Sequence, residues 1–447
     1  MKKKSTSKSA FLNLRVLIGL FIALGGIFLT LVGLGTFSGL TASSAQAQQK
    51  HKIINIQGLP PGFDCATIHE KGIDRMEGFR AGLIMIACGE SKAGQAEEGL
   101  ASPGNPFAKL ARELLPVPLA YGAADVDVVT GTETAPHIIQ SETYTAANPD
   151  NPDEVCVAFN DSRGAAASPQ NFSGVSCSTD GGLTFTRVTN GSGQSPFANT
   201  FGDPVILYNK PTQTWFTVWL DGNGSCTLGG YKSTTPENPT SWTHFCVHTN
   251  GGDDRESGWA DNNPSSPHFG NMYVSWNDFN IGSGALEVTF STDNGATWHA
   301  PVTVSNSGFI RDVQITGDMS GNGTVYIAGM DEGGGGFPHN DTNKIFKSTD
   351  GGATWANTYT GTPFPGPGAV VCGDNPYFTC MFPDSGGFWR HEGWGEPAAF
   401  NNVVHLVYAQ HGTGADPGDV YYIRSSDGGV TFGAPLKLNT DSTTHPQ

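Results

Sequence analysis

The sequence predicts an all-β chain of short antiparallel strands arranged in tandem units, and three observations carry that prediction. An eight-residue pattern, Ser-x-Asp-x-Gly-x-Thr followed by Trp or Phe, occurs four times. Its copies recur at a near-constant interval. Gly accounts for 60 of 447 residues, and no long helical periodicity follows residue 120. Abundant glycine and tight polar turns suit many short strands, not long helices.

The copies are Ser178, Asp180, Gly182, Thr184, Phe185; Ser291, Asp293, Gly295, Thr297, Trp298; Ser348, Asp350, Gly352, Thr354, Trp355; and Ser425, Asp427, Gly429, Thr431, Phe432. Ser291 and Ser348 are 57 residues apart, and Ser178 and Ser291 are 113 apart, close to twice that. A worn copy, Ser233 with Ser241 and Trp242, begins 55 residues after Ser178 and fills the gap. The last interval is 77, so the final unit carries an insertion. One turn motif per unit of this size marks a repeat architecture. In each copy the Asp side chain can accept backbone N–H groups just ahead of it, and Gly supplies a positive φ. The closing aromatic brings a large apolar face to bury. Alternating segments such as Val302–Val304, Ile345–Phe346 and Tyr421–Ile423 flank the turns and read as strands.

These four turns resemble the Asp-box, the bacterial neuraminidase repeat of the sialidase superfamily and related β-propellers. The resemblance covers about residues 135–440. It implies a β-propeller of four-stranded antiparallel blades, with each Asp-box on the outer turn between a blade's third and fourth strands, away from the active site. The Asp-box residues are then expected to be structural.

Five units can be aligned. Their landmarks are Pro136 to Asp161, Gly202 to Asp221, Asp253 to Asp278, Arg311 to Ala328, and Gly393 to Tyr408. A strand ending in Asp recurs at Asp161, Asp221 and Asp278, which suggests equivalent positions. Six blades would need residues from about 121–134 and upstream to complete the ring, because the chain ends where a sixth inner strand would begin. Three regions result: 1–47, 48–134 and the propeller at 135–447. The middle region is expected to be a small disulfide-bridged N-terminal extension and linker, with a short helix running into a strand over 73–86.

The first 47 residues read as a signal peptide. Lys2, Lys3, Lys4, Lys8 and Arg15 precede an apolar run from Val16 to Leu40, and Ala45-Gln46-Ala47 is a cleavage signature. The run is also long enough for an uncleaved N-terminal membrane anchor. The remaining chain carries 19 Lys+Arg against 41 Asp+Glu. That excess of acid argues against nucleic acid or an anionic membrane surface as partner. Eight cysteines in an exported chain read as disulfides. Proximity suggests Cys65 with Cys88, Cys156 with Cys177, Cys226 with Cys246 and Cys372 with Cys380, the middle two stapling single blades. No zinc-type spacing is present, and neither a metal nor a cofactor is expected.

Function is expected where inner strands begin, at the central funnel. Asp203, Asp254 and Asp312 stand at such starts, with Arg255 and Arg311 beside two of them. They read either as ligand-facing groups or as Asp–Arg pairs that satisfy strand ends. The sialidase resemblance implies three Arg clamping a substrate carboxylate, a Tyr–Glu nucleophile pair and an Asp acid/base. Arg255, Arg311 and Arg390, with Asp254 and Glu392, are the residues that could fill such roles. The family's early Arg-(Ile/Leu)-Pro motif is absent. The insertion in the last unit, 361–400, brings Trp389 and Trp394, whose faces suit sugar rings. The chain is therefore expected to be a secreted or extracytoplasmic propeller acting on or binding a glycan or glycoconjugate, as an exo-glycosidase of sialidase type. The alternative is a non-catalytic propeller that binds a glycan or an extracellular protein.

Overall fold

A computed structural model describes residues 52–54, 63–68, 140–189, 195–249, 251–333, 340–368, 370–371, 379–380, 393–413 and 418–439, with a few single positions besides. The expected signal segment, the linker, Arg390, Glu392 and Trp389 lie outside the described residues, as do Cys372 and all but three single positions of the segment proposed to complete a sixth blade. No helix among the described residues is long and apolar enough to cross a membrane.

The chain divides into two compact units. The first contains a two-stranded hairpin, Ile53–Ile54 against Phe63–Asp64, closed by a turn of 3-10 helix at Cys65–Thr67. The second contains a five-bladed β-propeller. Ile84 and Cys88, also in this unit, are helical and buried. A strand was expected near there, but apolar residues four apart share one helical face, so the same run satisfies a helix.

Each blade is a four-stranded antiparallel sheet in sequence order. Blade I comprises Gln140–Asn148, Asn151–Gly164, Asn171–Ser178 and Thr186–Arg187. Blade II comprises Val205–Asn209, Thr214–Leu220, Leu228–Ser233 and Thr243–His248. Blade III comprises Asp253–Ala260, Met272–Asp278, Ala285–Ser291 and Val302–Ser305. Blade IV comprises Ile310–Gly317, Val325–Asp331, Asn340–Ser348 and Ala356–Thr360. Blade V comprises Glu396–Phe400, Val403–Gln410, Asp419–Ser425 and Leu436–Lys437. First strands of successive blades neighbour one another from I to V, so they line the axis.

The core is laid between blades. Phe216 and Val218 of blade II meet Met272, Val274 and Trp276 of blade III. Tyr273 and Val288 of blade III meet Ile315 and Ile327 of blade IV, and Tyr326 and Ile345 meet Val404 and Leu406 of blade V. Burying one such side chain contributes roughly 1.5–3 kcal/mol. Because neither face of a blade can be left bare, the fold needs the whole ring.

All four Ser-Asp-Gly-Thr turns join the third strand of a blade to its fourth, and all close with the same hydrogen bonds. In blade III the Ser291 hydroxyl donates to Asp293 (2.9 Å) and accepts the Gly295 N–H (2.9 Å). Asp293 accepts the Thr297 N–H (2.9 Å) and hydroxyl (2.6 Å). Ser178, Ser348 and Ser425 repeat the pattern with Asp180, Asp350 and Asp427. The motif glycines have φ of 83°, 66°, 91° and 80°, where a Cβ would strain the chain. Each of two closing aromatics reaches back to the preceding blade: Trp298 stacks on Phe245, and Phe432 lies 4.5 Å from Tyr359. The worn copy occupies the same turn in blade II. There Ser233 and Ser241 bond to each other without an Asp.

Disulfides link Cys156 to Cys177, register partners in blade I, and Cys226 to Cys246 in blade II. Both are the blade staples expected from spacing. Cys65 and Cys88 are each disulfide-bonded.

Candidate active site

The inner strands are irregular at their starts. Register shifts between Ser141 and Tyr144, between Asp254 and Ser257, and between Arg311 and Gln314. These are bulges, which re-aim side chains at the mouth of a barrel or funnel. Glu142 (φ 51°) and Arg255 (φ 56°) sit within two of them in the left-handed region, and Asp203 (φ 56°) does so just ahead of the blade II strand. A left-handed backbone at a non-glycine residue costs on the order of 1–3 kcal/mol and persists only where its surroundings hold it.

Those three residues, from blades I, II and III, meet. Arg255 Nη1 lies 3.6 Å from Glu142 Oε2, and the Arg255 N–H donates to Asp203 Oδ2 (3.3 Å). Asn160 ties the same pair from the second strand of blade I. Its Nδ2 donates to Glu142 Oε2 (2.7 Å), and its Oδ1 accepts the Asp203 N–H (2.8 Å). Asp203 also hydrogen-bonds Glu142 directly. Glu142 and Arg255 keep partial access to water, with side chains 20% and 16% exposed. Asp203 lies beneath them at 4%. Burial pushes the Asp203 carboxyl well above the usual range; the charges of Glu142 and Asp254 add to this, and Arg255 opposes it. Asp203 is thus pushed toward its neutral form beside Glu142.

Glu256 is the third carboxyl of this layer. It is buried, and neither oxygen finds a partner on another residue among those described. Burial, reinforced by Asp203 and Asp254, raises it well above the ordinary carboxylate range. The guanidinium of Arg255 also lies 5.0 Å from the ring centre of Trp394, whose indole N–H donates to Glu332 (2.8 Å). Groups from blades I, II, III and V therefore gather around one guanidinium.

The sequence-derived candidates divide between this cluster and a structural role. Asp203 and Arg255 are central to the cluster. Trp394 is nearly buried with its face under Arg255, so it orients that guanidinium. Asp254 and Arg311 form a buried ion pair (3.3 Å), and Arg311 lies between Phe279 and Phe309 at 5.1 and 5.5 Å. This is the strand-end pairing that the sequence left open as one of two readings. Asp312 is placed only by its backbone, in the blade IV bulge. Glu142 and Glu256 were not singled out from the sequence. Unit one was aligned from Pro136, ahead of its inner strand. Aligned from Gln140, Glu142 falls opposite Arg255 in the repeat.

The recurrent strand-end aspartates are equivalent, and Asp331 adds a fourth. Asp161 pairs with Arg187, Asp221 with His244, and Asp331 with Lys344 (2.7 Å). Asp278 stands near His248 in a denser group. Cys226, close to Asp221 and His244, is spent in a disulfide and offers no thiolate.

No family model matches the chain, and no curated protein matches it. Solved structures do. The catalytic domain of a GH62 α-L-arabinofuranosidase from Coprinopsis cinerea is similar with 14% identity and a TM-score of 0.38, covering 66% of this chain and 93% of its own. An exo-β-1,3-galactanase from Phanerochaete chrysosporium is similar at 13% identity, TM-score 0.35, covering 71% and 94%. An α-L-arabinofuranosidase from Clostridium thermocellum is similar at 12% identity, TM-score 0.37, covering 67% and 94%.

Proposed function

We propose that the chain is an extracytoplasmic glycoside hydrolase whose proton-transfer site is the Glu142–Asp203 carboxyl pair. One observation carries the reading. Two carboxyls from different blades, Glu142 and Asp203, are bridged by Asn160 and Arg255, with Glu142 partly open to water and Asp203 buried beneath it and shifted toward its neutral form. Perturbed carboxyls in a cleft mark acid/base sites. The pair can pass its proton to a leaving oxygen, with Glu142 as the face presented to substrate and Asp203 as its reservoir. Arg255 positions Glu142 and can hydrogen-bond a sugar hydroxyl. Disulfides in both blades I and II support an oxidising compartment.

The substrate we infer is an uncharged glycan, not a sialoside. A sialidase-type clamp needs guanidiniums free to grip a carboxylate. Arg255 already faces Glu142, and Arg311 is buried against Asp254. Tyr144, on the blade I inner strand, donates to the Gly258 carbonyl (2.8 Å). Its phenol is pushed up to about 12 by burial and then by Glu396, the opposite of an activated nucleophile.

A second reading, a non-catalytic glycan-binding propeller, is favoured by one feature. Glu142 and Asp203 bond to each other, whereas the acid and its partner in most glycosidases stand roughly 5–9 Å apart across the scissile bond. Hydrolysis of a panel of neutral fluorogenic pentosides and hexosides beside a sialoside separates the readings. The hydrolase reading expects turnover of a neutral glycoside and its loss in Glu142→Gln. Glycan binding by a folded chain that turns over none of the panel selects the binding reading. Turnover of the sialoside alone removes the neutral-substrate assignment.

A further inference from the structure

The junction of blades II and III holds a second group of titratable side chains, separate from the Glu142–Asp203 pair. His248 ends the outer strand of blade II. Asp253 begins the inner strand of blade III, and Asp278 ends the next strand as its register partner. Ligand atoms of these three side chains lie within 4.8 Å of one another. His248 Nδ1 is 2.9 Å from Asp253 Oδ2, which also accepts the Thr227 hydroxyl (2.6 Å). The Asn280 N–H donates to Asp278 Oδ1 (2.8 Å) and fixes that carboxylate.

Glu287 supplies the independent observation. It is 2% exposed; its carboxyl takes a hydrogen bond from Thr303, while its Oε1 has no hydrogen-bond partner among the described residues. Across the strands it pairs with Trp276, two residues before Asp278, so all three project from one face of the sheet. Asp278, His248 and Asp253 all lie close enough for their charges to act on it. In blades I, II and IV one strand-end Asp meets one basic side chain. Here two buried aspartates share a single imidazole, and Glu287 is buried alongside them.

We propose that His248, Asp253, Asp278 and Glu287 bind one first-row divalent cation, Zn2+ or Mn2+, which ties blade II to blade III. Three carboxylate groups answer a divalent charge. The imidazole nitrogen selects a first-row metal over Ca2+ or Mg2+, which prefer all-oxygen ligand sets. The four ligands come from four strands, which is why no linear spacing announces the site. Asp253 directly precedes Asp254, Arg255 and Glu256, so the ion would also fix the start of the strand that carries Arg255. The proposal does not depend on the hydrolase reading.

The test is calorimetric and thermal titration of the purified chain, without a polyhistidine tag and stripped with EDTA, using Zn2+, Mn2+ and Ca2+ separately. We expect one equivalent of Zn2+ or Mn2+, a raised Tm, and no comparable effect from Ca2+. Asp278→Asn should abolish binding. Glu287→Gln, which keeps the shape of the side chain, should weaken it at least about tenfold. Absence of binding, tight binding of Ca2+ instead, or affinity unchanged in Glu287→Gln would overturn the proposal. In the first case His248 alone balances the carboxyls. Glu287→Gln decides the matter if Asp278→Asn does not fold.

Discussion

The rim and the axis of this propeller use the same chemical group in opposite ways. At the rim, Asp180 and Asp293 are water-exposed, and each accepts both the hydroxyl and the N–H of a Thr four residues on. Those bonds, the hydroxyl first, lower their carboxyls from the ordinary 3.8 to about 2. Asp427 is held lower still by the same Thr contacts. At the axis, Asp203 and Glu256 are buried, short of donors and shifted upward. Rim carboxylates are ionised and bonded by their own turn. At the axis, burial and neighbouring carboxyls push Asp203 and Glu256 toward the neutral form. The contrast teaches that the repeated motif builds the fold, and that the residues which break the repeat gather at the axis, where the proposed chemistry is placed.

The largest expected effect on stability lies at the boundary between these regions. Arg311→Ala should cost about 3–5 kcal/mol, because it removes the guanidinium that pairs with the buried Asp254 carboxyl. Chemical denaturation measures this, and Asp254→Asn added to Arg311→Met should recover much of it. A near-neutral Arg311→Ala would free Arg311 for a ligand role and blur the contrast.

Next is the rim itself. Ser291 is fully buried and serves both Asp293 and the Gly295 N–H. Ser291→Ala should destabilise by about 1–3 kcal/mol, since a buried N–H loses its acceptor, and should leave kcat/KM unchanged. An equal loss of activity and stability would tie the rim to the chemistry.

Glu256→Gln sharpens the comparison in the other direction. Below the unfolded carboxyl value of about 4.5, both folded and unfolded states hold the proton. As pH rises, the unfolded chain releases it while the folded chain keeps it, so Glu256 lowers stability. The Gln variant should therefore melt higher than the parent near pH 7, and the gap should close toward pH 4. A lower Tm at pH 7 would show that Glu256 is stabilised by its site.

The smallest effect concerns acid. Rim aspartates have folded-state values below their unfolded ones, so their stabilisation is present above about pH 4. It is lost as pH falls through about 2. Asp180→Asn should lose its stability difference from the parent across that window. A difference that persists to pH 1 would place its origin outside the carboxylate.

The rim was legible in the sequence because its bonds are local. Ser, Asp, Gly and Thr fall within seven residues, and the period gives the units and their strands. The axis was only half legible. Asp203 and Arg255 stood at recognisable strand starts, but Glu142, Asn160 and Glu256 acquire meaning only when bulges turn three blades toward one point. Arg311 and Asp254 looked alike as ligand groups and as partners until burial separated the two. The blade II–III group draws on four strands and has no linear trace. A sixth blade was entertained because the units run out in sequence; among the described residues five sheets share the axis.

The most direct test compares Asp203→Asn with Asp293→Asn for hydrolysis of the neutral glycoside that the parent chain turns over best, each with a melting curve. The account predicts that Asp203→Asn loses about 10²–10⁴-fold in kcat while its Tm holds or rises, and that Asp293→Asn keeps kcat with a lower Tm. Full turnover by Asp203→Asn, or no turnover of any neutral glycoside by a folded parent chain, would contradict it.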